Sequence, residues 1–252
     1  MTIKTYDTPY GLVSLDENDF WFALTYENGR YWDEATLQIV KDYIDPNRNI
    51  LEIGGHCGTS TLFYAKMLNS DSKIFVFEPQ KKMYDLLETN IVQNDLKHKV
   101  VSYNLGVFCF NGSGNMTLES SDVFKGHKIT DNFAGFNLGA NGEEVNLVRL
   151  DSIILPDNGF IHCDAQGSEN FIFSGAKDLI SQHRPVIFYE DNTKKVSKEH
   201  DGQYLVKAVK ENYPEYSKEA NFDIKKYCLE ELNYSECIEG VFRSELDVLL
   251  IP

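Results

Sequence analysis

Residues 49–66, NILEIGGHCGTSTLFYAK, decide the fold. A short apolar run, residues 50–53, carries one acid, Glu52. It ends in a turn with glycines at 54, 55 and 58. A helical pattern follows, with Leu62, Phe63, Ala65 and Met67 as its apolar positions. Strand, glycine turn and helix form the unit that holds nucleotide-like ligands at a helix N-terminus. Glycine permits the close backbone approach that a Cβ would block.

The spacing E-x-G-G-x-x-G is not the G-x-G-x-x-G dinucleotide fingerprint. An acid two residues before the first glycine repels a pyrophosphate. It suits a cationic ligand that carries hydroxyls and an ammonium group, such as S-adenosylmethionine. Taken alone, the turn is also ordinary strand-to-helix chemistry. The next segment adds a second requirement. KIFVFE, residues 73–78, is an apolar strand ending in Glu78, 24 residues after Gly54 and followed by Pro79. A carboxylate at that strand end accepts hydrogen bonds from both hydroxyls of a ribose.

Working outward, residues 81–94 repeat Met83, Leu86, Leu87, Ile91 and Val92 at helical spacing, and 99–103 read as a third strand. The order β-α-β-α-β implies parallel strands with right-handed crossovers. Ahead of the central strand, LVSL and FWFALTY read as short strands. Asp33 reads as the N-cap of a helix bearing Ala35, Leu37, Ile39, Val40 and Tyr43. After it, the 105–150 region changes character. VFCF and NMTL flank NGSG, a hairpin signal, and 120–142 read as a long loop. Residues 145–150 are a further strand. The α/β rhythm resumes with GFIHCD (159–164), a helix over 168–181 and the strand VIFYE. A helix over 195–212 and strands over 222–227 and 247–252 complete the chain. The simplest organisation is a single domain over 1–252, with an N-terminal extension and cap helix in 1–45 and the insertion at 105–150.

Composition limits the partners. The chain has 252 residues, 42% of them apolar, and a formal charge of -15. That balance argues against a broad nucleic-acid or anionic-membrane surface. The five cysteines show no metal spacing. Neither a signal-peptide core nor a run long enough to span a bilayer is present, so the expectation is a cytoplasmic protein without membrane insertion. Oligomeric state is not encoded in any pattern here.

With these segments in order, the chain resembles the FkbM-type S-adenosylmethionine-dependent methyltransferases. LEIGGHCGTSTLFYAK is similar to the family's first motif. VFEPQKKMYDLLETNIVQN is similar to its second, through Glu78, Pro79, Tyr84, Leu87, Asn90 and Asn94. VRLDSI leads into FIHCDAQGSENFIFSGA, which resembles the family block through Asp164, Gly167, Glu169, Gly175 and Ala176. RPVIFYE resembles the strand that follows. Together these cover about 31–191. Where Glu52, Gly55-His56 and His162 stand, the family usually has Asp, Ala-Asn and Lys.

The resemblance implies a Rossmann-like class I methyltransferase fold, an α/β architecture with a mostly parallel seven-stranded sheet and helices on both faces. It implies that Glu52, Gly54, Gly55, His56 and Gly58 hold the methionine end. Glu78 and Pro79 would take the ribose, and Asn104, Leu105 and Gly106 would lie beside the adenine. It also implies transfer to a hydroxyl of a small acceptor, a sugar or glycan, with transfer to nitrogen or carboxylate and a non-catalytic binding module as the alternatives. Deprotonating an alcohol calls for a base or a metal. Asp164, His162, Glu169 and Glu190 are the base candidates. Asp164, Glu190 and Asp191 form an oxygen-rich set suited to Mg²⁺.

Overall fold

The computed structural model describes residues 2–118, 123–124, 127–128, 132–193, 202–237, 242, 244 and 246–252. Its centre is a seven-stranded sheet. The spatial order is Ser235–Glu236, Asp247–Ile251, Val186–Glu190, Asn158–Cys163, Asn49–Ile53, Ile74–Phe77 and Val100–Tyr103. The last five are parallel, and Asp247–Ile251 and Ser235–Glu236 run antiparallel at one edge. Strands covered on both faces must be apolar throughout. Residues 74–77, IFVF, are accordingly buried at every position.

The strand order reverses beside Asn49–Ile53. From there the chain crosses through helices Thr59–Met67 and Lys81–Gln93 to one side of the sheet, and later returns to Asn158–Cys163 on the other. Ligands of open α/β sheets bind outside the carboxyl ends of the strands at such a switch point. The glycine turn, Glu78 and Asp164 all sit there.

Several elements depart from the sequence expectations. FWFALTY is the helix Phe20–Glu27, not a strand, because Phe22, Ala23 and Tyr26 bury at helical spacing. Asp33 precedes Glu34–Val40 in the left-handed region, and its side chain does not cap the helix. The NGSG turn does not pair its flanks. Gly106–Val107 and Gly112–Met116 are separated by Glu143–Val148 in a four-stranded sheet that Leu138–Gly139 completes. Buried Phe108 stacks on Phe171 at 4.8 Å, and Asn111 Oδ1 accepts from the Arg149 N–H, so the chain is drawn away before it can fold back.

The helix expected over 168–181 is two helices, Glu169–Ser174 and Lys177–His183. They break at Gly175, which lies so close to the 108–109 backbone that a Cβ would stand 3.1 Å from the Phe108 carbonyl. Residues 222–227 are not a strand. The Asp223 side chain accepts from the Lys226 N–H and starts a helical turn, Ile224–Lys226, that runs on as Tyr227–Glu231, burying Ile224 and Cys228. The later helix is Gly202–Asn212, and its expected start over 195–201 lies outside the described residues. So does part of the expected 120–142 loop. Within it are a short hairpin, Val123–Phe124 with His127–Lys128, and the turn Phe133–Gly135. Among the described residues no helix is long and apolar enough to cross a membrane.

Candidate active site

A cavity of about 390 Å³ opens at the switch point. Gly54, Gly55, His56, Thr59 and Ser60 form one wall, Glu78, Pro79 and Gln80 a second, and Asp164, Ala165, Gln166 and Ser168 a third. Met116, Leu138 and Leu147 from the four-stranded sheet, with Phe136 just before it, give it an apolar side. This volume falls within the range of small-molecule sites.

The glycines are required by contact. Gly54 has φ +88, and a Cβ there would lie 1.9 Å from the Asp164 carbonyl oxygen. A Cβ on Gly55 would lie 2.3 Å from Val76 Cγ2. The N–H groups of both glycines donate to the Phe77 carbonyl, at 3.0 Å. The turn is thereby pinned to the neighbouring strand.

Glu78 is 3% exposed. Its Oε2 accepts from the His56 N–H at 2.8 Å and its Oε1 from the Gln80 N–H at 2.7 Å. Each carboxylate oxygen has a second lone pair, so acceptor capacity remains toward the cavity. Burial raises its pKa, opposed by His56 and these two N–H groups. His56 sits in the turn at φ +48, an uncommon conformation for a residue with a side chain. Its Nε2 lies 3.0 Å from Asp19 Oδ2, and its ring leans on Phe22 at 4.4 Å. Burial works against the imidazolium. Cys57 and Asp19 outweigh it and hold His56 well above its ordinary value.

Beneath the turn lies a second polar layer. Glu52 and His162 are neighbours in register on adjacent strands. Thr61 and Tyr64, three apart on one helix, cover them. Thr61 Oγ1 donates to Glu52 Oε2 at 2.7 Å, and Tyr64 Oη meets His162 Nδ1 at 3.1 Å. Burial pushes Glu52 up to about 8, opposed by the Thr61 hydroxyl, and pushes His162 down to about 4. Both groups are therefore held in their neutral forms near pH 7. His162 also packs on Phe188, with ring centres 5.0 Å apart.

Asp191 lines a separate cavity beside Asn170 and Phe222, and the other expected cofactor and catalytic residues divide into two groups. Gly54, Gly55, His56, Glu78, Pro79, Gly106, His162, Asp164 and Glu190 line the cavity. Glu52, Gly58, Asn104 and Leu105 stand behind its wall. Glu52 is sealed against Thr61, and Gly58 leads into the helix at φ +90. The Asn104 amide donates to the Glu78 and Pro79 carbonyls, and Leu105 packs into the core on that side of the sheet.

The sequence reading missed Asp19 and Gln80, both at the cavity or its loop. It also missed the clamp at Asn90. This buried amide pairs with the Ser14 N–H and carbonyl and donates to the Cys57 carbonyl, tying the N-terminal hairpin, Ile3–Thr8 with Gly11–Asp16, to the glycine turn. The family motif contains Asn90, but only the fold shows its partners.

A second cavity, about 560 Å³, adjoins the first and shares part of its lining. Trp32, His162, Asp164 and Glu190 line both. Arg30, Asp33, Glu34 and Thr36 line its outer part.

The family model described as "Methyltransferase FkbM domain" matches residues 52–224, more than half of the chain. The chain belongs to the FkbM methyltransferase family. With that family it joins the S-adenosylmethionine-dependent methyltransferases. Its fold is similar to a solved FkbM methyltransferase from Methylobacillus flagellatus, at 14% identity and a TM-score of 0.52, covering 92% of this chain and 52% of that one. The chain thus spans about half the length of that relative. It is also similar to an O-methyltransferase from Bacillus cereus in complex with SAH (17% identity, TM-score 0.45, covering 94% and 90%). A putative rRNA-methylase from Clostridium thermocellum matches at 11% identity and a TM-score of 0.45, covering 86% and 92%. These likenesses are of fold alone. No curated protein matches the chain.

Proposed function

We propose that this FkbM-family chain is an O-methyltransferase acting on a hydroxyl of a small acceptor, of the sugar or glycan class. The observation that carries the reading is the pair of cavities meeting at His162, Asp164 and Glu190. Methyl transfer is an in-line displacement, so donor and acceptor must approach one point from opposite sides.

The residues fit the cofactor. The first cavity joins a backbone cradle that a Cβ would fill at Gly54 to a buried carboxylate with spare acceptor capacity at Glu78. Gly54, Gly55 and His56 would hold its methionine end, Glu78 its ribose, and Gly106 and the apolar side its adenine. When bound, S-adenosylmethionine supplies an electrophilic methyl group on a sulfonium. The acceptor oxygen forms the new C–O bond, the C–S electron pair stays on sulfur, and the hydroxyl proton leaves to a base.

Asp164 serves best as that base. It is exposed and reaches both cavities, with Gln166 Nε2 donating to Oδ1 at 2.8 Å. His162, pushed down to about 4, is a weak base, and its position suits packing under the methyl. The acceptor class rests on the family resemblance and on Trp32, whose face can stack on a sugar ring. The net charge of -15 disfavours a nucleic-acid acceptor.

The test is turnover of a glycan and small-alcohol panel, with calorimetry of S-adenosylhomocysteine beside it. Asp164→Asn should lower turnover about 10²–10⁴-fold, the scale of a lost general base, while leaving S-adenosylhomocysteine affinity within about threefold. Full turnover in that variant removes Asp164 from the scheme. Methylation of amines but not hydroxyls replaces the O-methyl reading.

A further inference from the structure

Three carboxylates from two strand ends and the helix between them converge where the two cavities meet. Asp164 follows one sheet strand, Glu190 ends the next, and Glu169 opens the helix Glu169–Ser174 between them. One oxygen from each lies within 4.8 Å of the others. The group contains Glu169 where the sequence pointed to Asp191.

Their partners do not balance the charge. Glu169 is 2% exposed. Its Oε1 accepts from the Ala165 and Gly167 N–H groups, at 2.9 and 3.3 Å. Its Oε2 is buried without a hydrogen-bond partner. Glu190 Oε2 accepts from Asn192 Nδ2 at 3.1 Å, and Asp164 Oδ1 from Gln166. Among the described residues no lysine or arginine ion pair reaches any of the three. A buried carboxylate oxygen with no donor is costly, and native structures satisfy such atoms with a partner or an ion.

We propose that Asp164, Glu169 and Glu190 form a binding site for one hard divalent cation of the Mg²⁺, Mn²⁺ or Ca²⁺ class. The donor set is all oxygen, the chemistry these cations select over softer metals. Carboxylates brought this close repel one another unless a proton or cation lies between them. Glu169 supplies the anchored ligand, its carboxylate fixed by two backbone N–H groups. Asp164 and Glu190 face both cavities, so a bound cation keeps open positions toward the acceptor side. The role of the cation, though not its binding, rests on the transfer reading above. It would favour acceptors with two adjacent oxygens, such as a vicinal diol.

The test is a Mn²⁺ titration of the full chain followed by electron paramagnetic resonance, with no cofactor present. The expected result is one Mn²⁺ bound per chain and displaced by Mg²⁺. Glu169→Gln and Asp164→Asn should each weaken it by roughly 10–100-fold or more, the loss that follows even removal of groups one shell out from a metal. Asp191→Asn should leave it unchanged. Circular dichroism checks that Glu169→Gln folds. If it does not, Asp164→Asn, altered at an exposed position, decides the matter. No binding at about 1 mM Mn²⁺, the weak end of protein oxygen sites, overturns the proposal, and so does binding that both variants retain. S-adenosylhomocysteine calorimetry without metal separates the two readings. Cofactor binding with no Mn²⁺ binding sinks the cation site alone. Mn²⁺ binding with no cofactor affinity keeps the cation site and sinks the transfer reading.

Discussion

Replacing Glu52 with glutamine should stabilise the protein, and more so as pH rises. Glu52 is 1% exposed, and burial moves its pKa from the ordinary 4.5 to about 8. Between those values the unfolded chain has released the proton and the folded chain keeps it. The folded state therefore binds more protons, and stability falls as pH rises through this window. At about 1.4 kcal/mol for each pH unit, the penalty reaches a ceiling of about 5 kcal/mol above pH 8. It is about 3 kcal/mol at pH 7 and about 1 kcal/mol at pH 5. Glutamine removes the titration and still offers an oxygen to the Thr61 hydroxyl, which lies 2.7 Å from the carboxylate. Urea unfolding of both proteins at pH 5, 7 and 8 measures the difference. A gap that grows by about 2 kcal/mol from pH 5 to pH 7 supports the reasoning. A gap independent of pH, or a variant less stable at pH 7, refutes it.

Glu78→Ala should weaken S-adenosylhomocysteine binding by about 1.5–3 kcal/mol, the worth of hydrogen bonds to a charged group. Unchanged affinity by calorimetry would remove Glu78 from the ribose role. Gly54→Ala should cost at least about 2 kcal/mol of stability and abolish cofactor binding, because it combines a positive φ with a backbone clash; a normal Tm and normal affinity would contradict that. His162 is held neutral, so the unfolded chain binds the extra proton between pH 4 and 6.5, and this residue's contribution to stability is lost as pH falls through that range. His162→Gln should recover about 2 kcal/mol of that loss at pH 5 relative to pH 7, read by the same unfolding experiment. Parallel curves for the two proteins would show that the imidazole is not desolvated.

The parts legible in the sequence are those set by local spacing. Period and punctuation marked the strand, glycine turn and helix of 49–66, and the apolar strands 74–77 and 186–190. These are segments whose burial on both faces leaves one reading. Acids at strand ends pointed to Glu78, Asp164 and Glu190, because a parallel sheet delivers its carboxyl ends to one edge. The aromatic stretch at 20–27 and the residues 222–227 were misread because local pattern permits either element there. In the fold, Phe22 against His56 and the Asp223 side chain on the Lys226 N–H decide for helix. What only the tertiary structure decided is which side chains meet. Asp19 finds His56 across 37 positions, Asn90 clamps Ser14 and Cys57, and Glu169 joins Asp164 and Glu190. Those contacts depend on strand order, register and crossover. They also set which carboxylates are desolvated, and hence the protonation states on which the chemistry depends, a property that no residue type carries by itself.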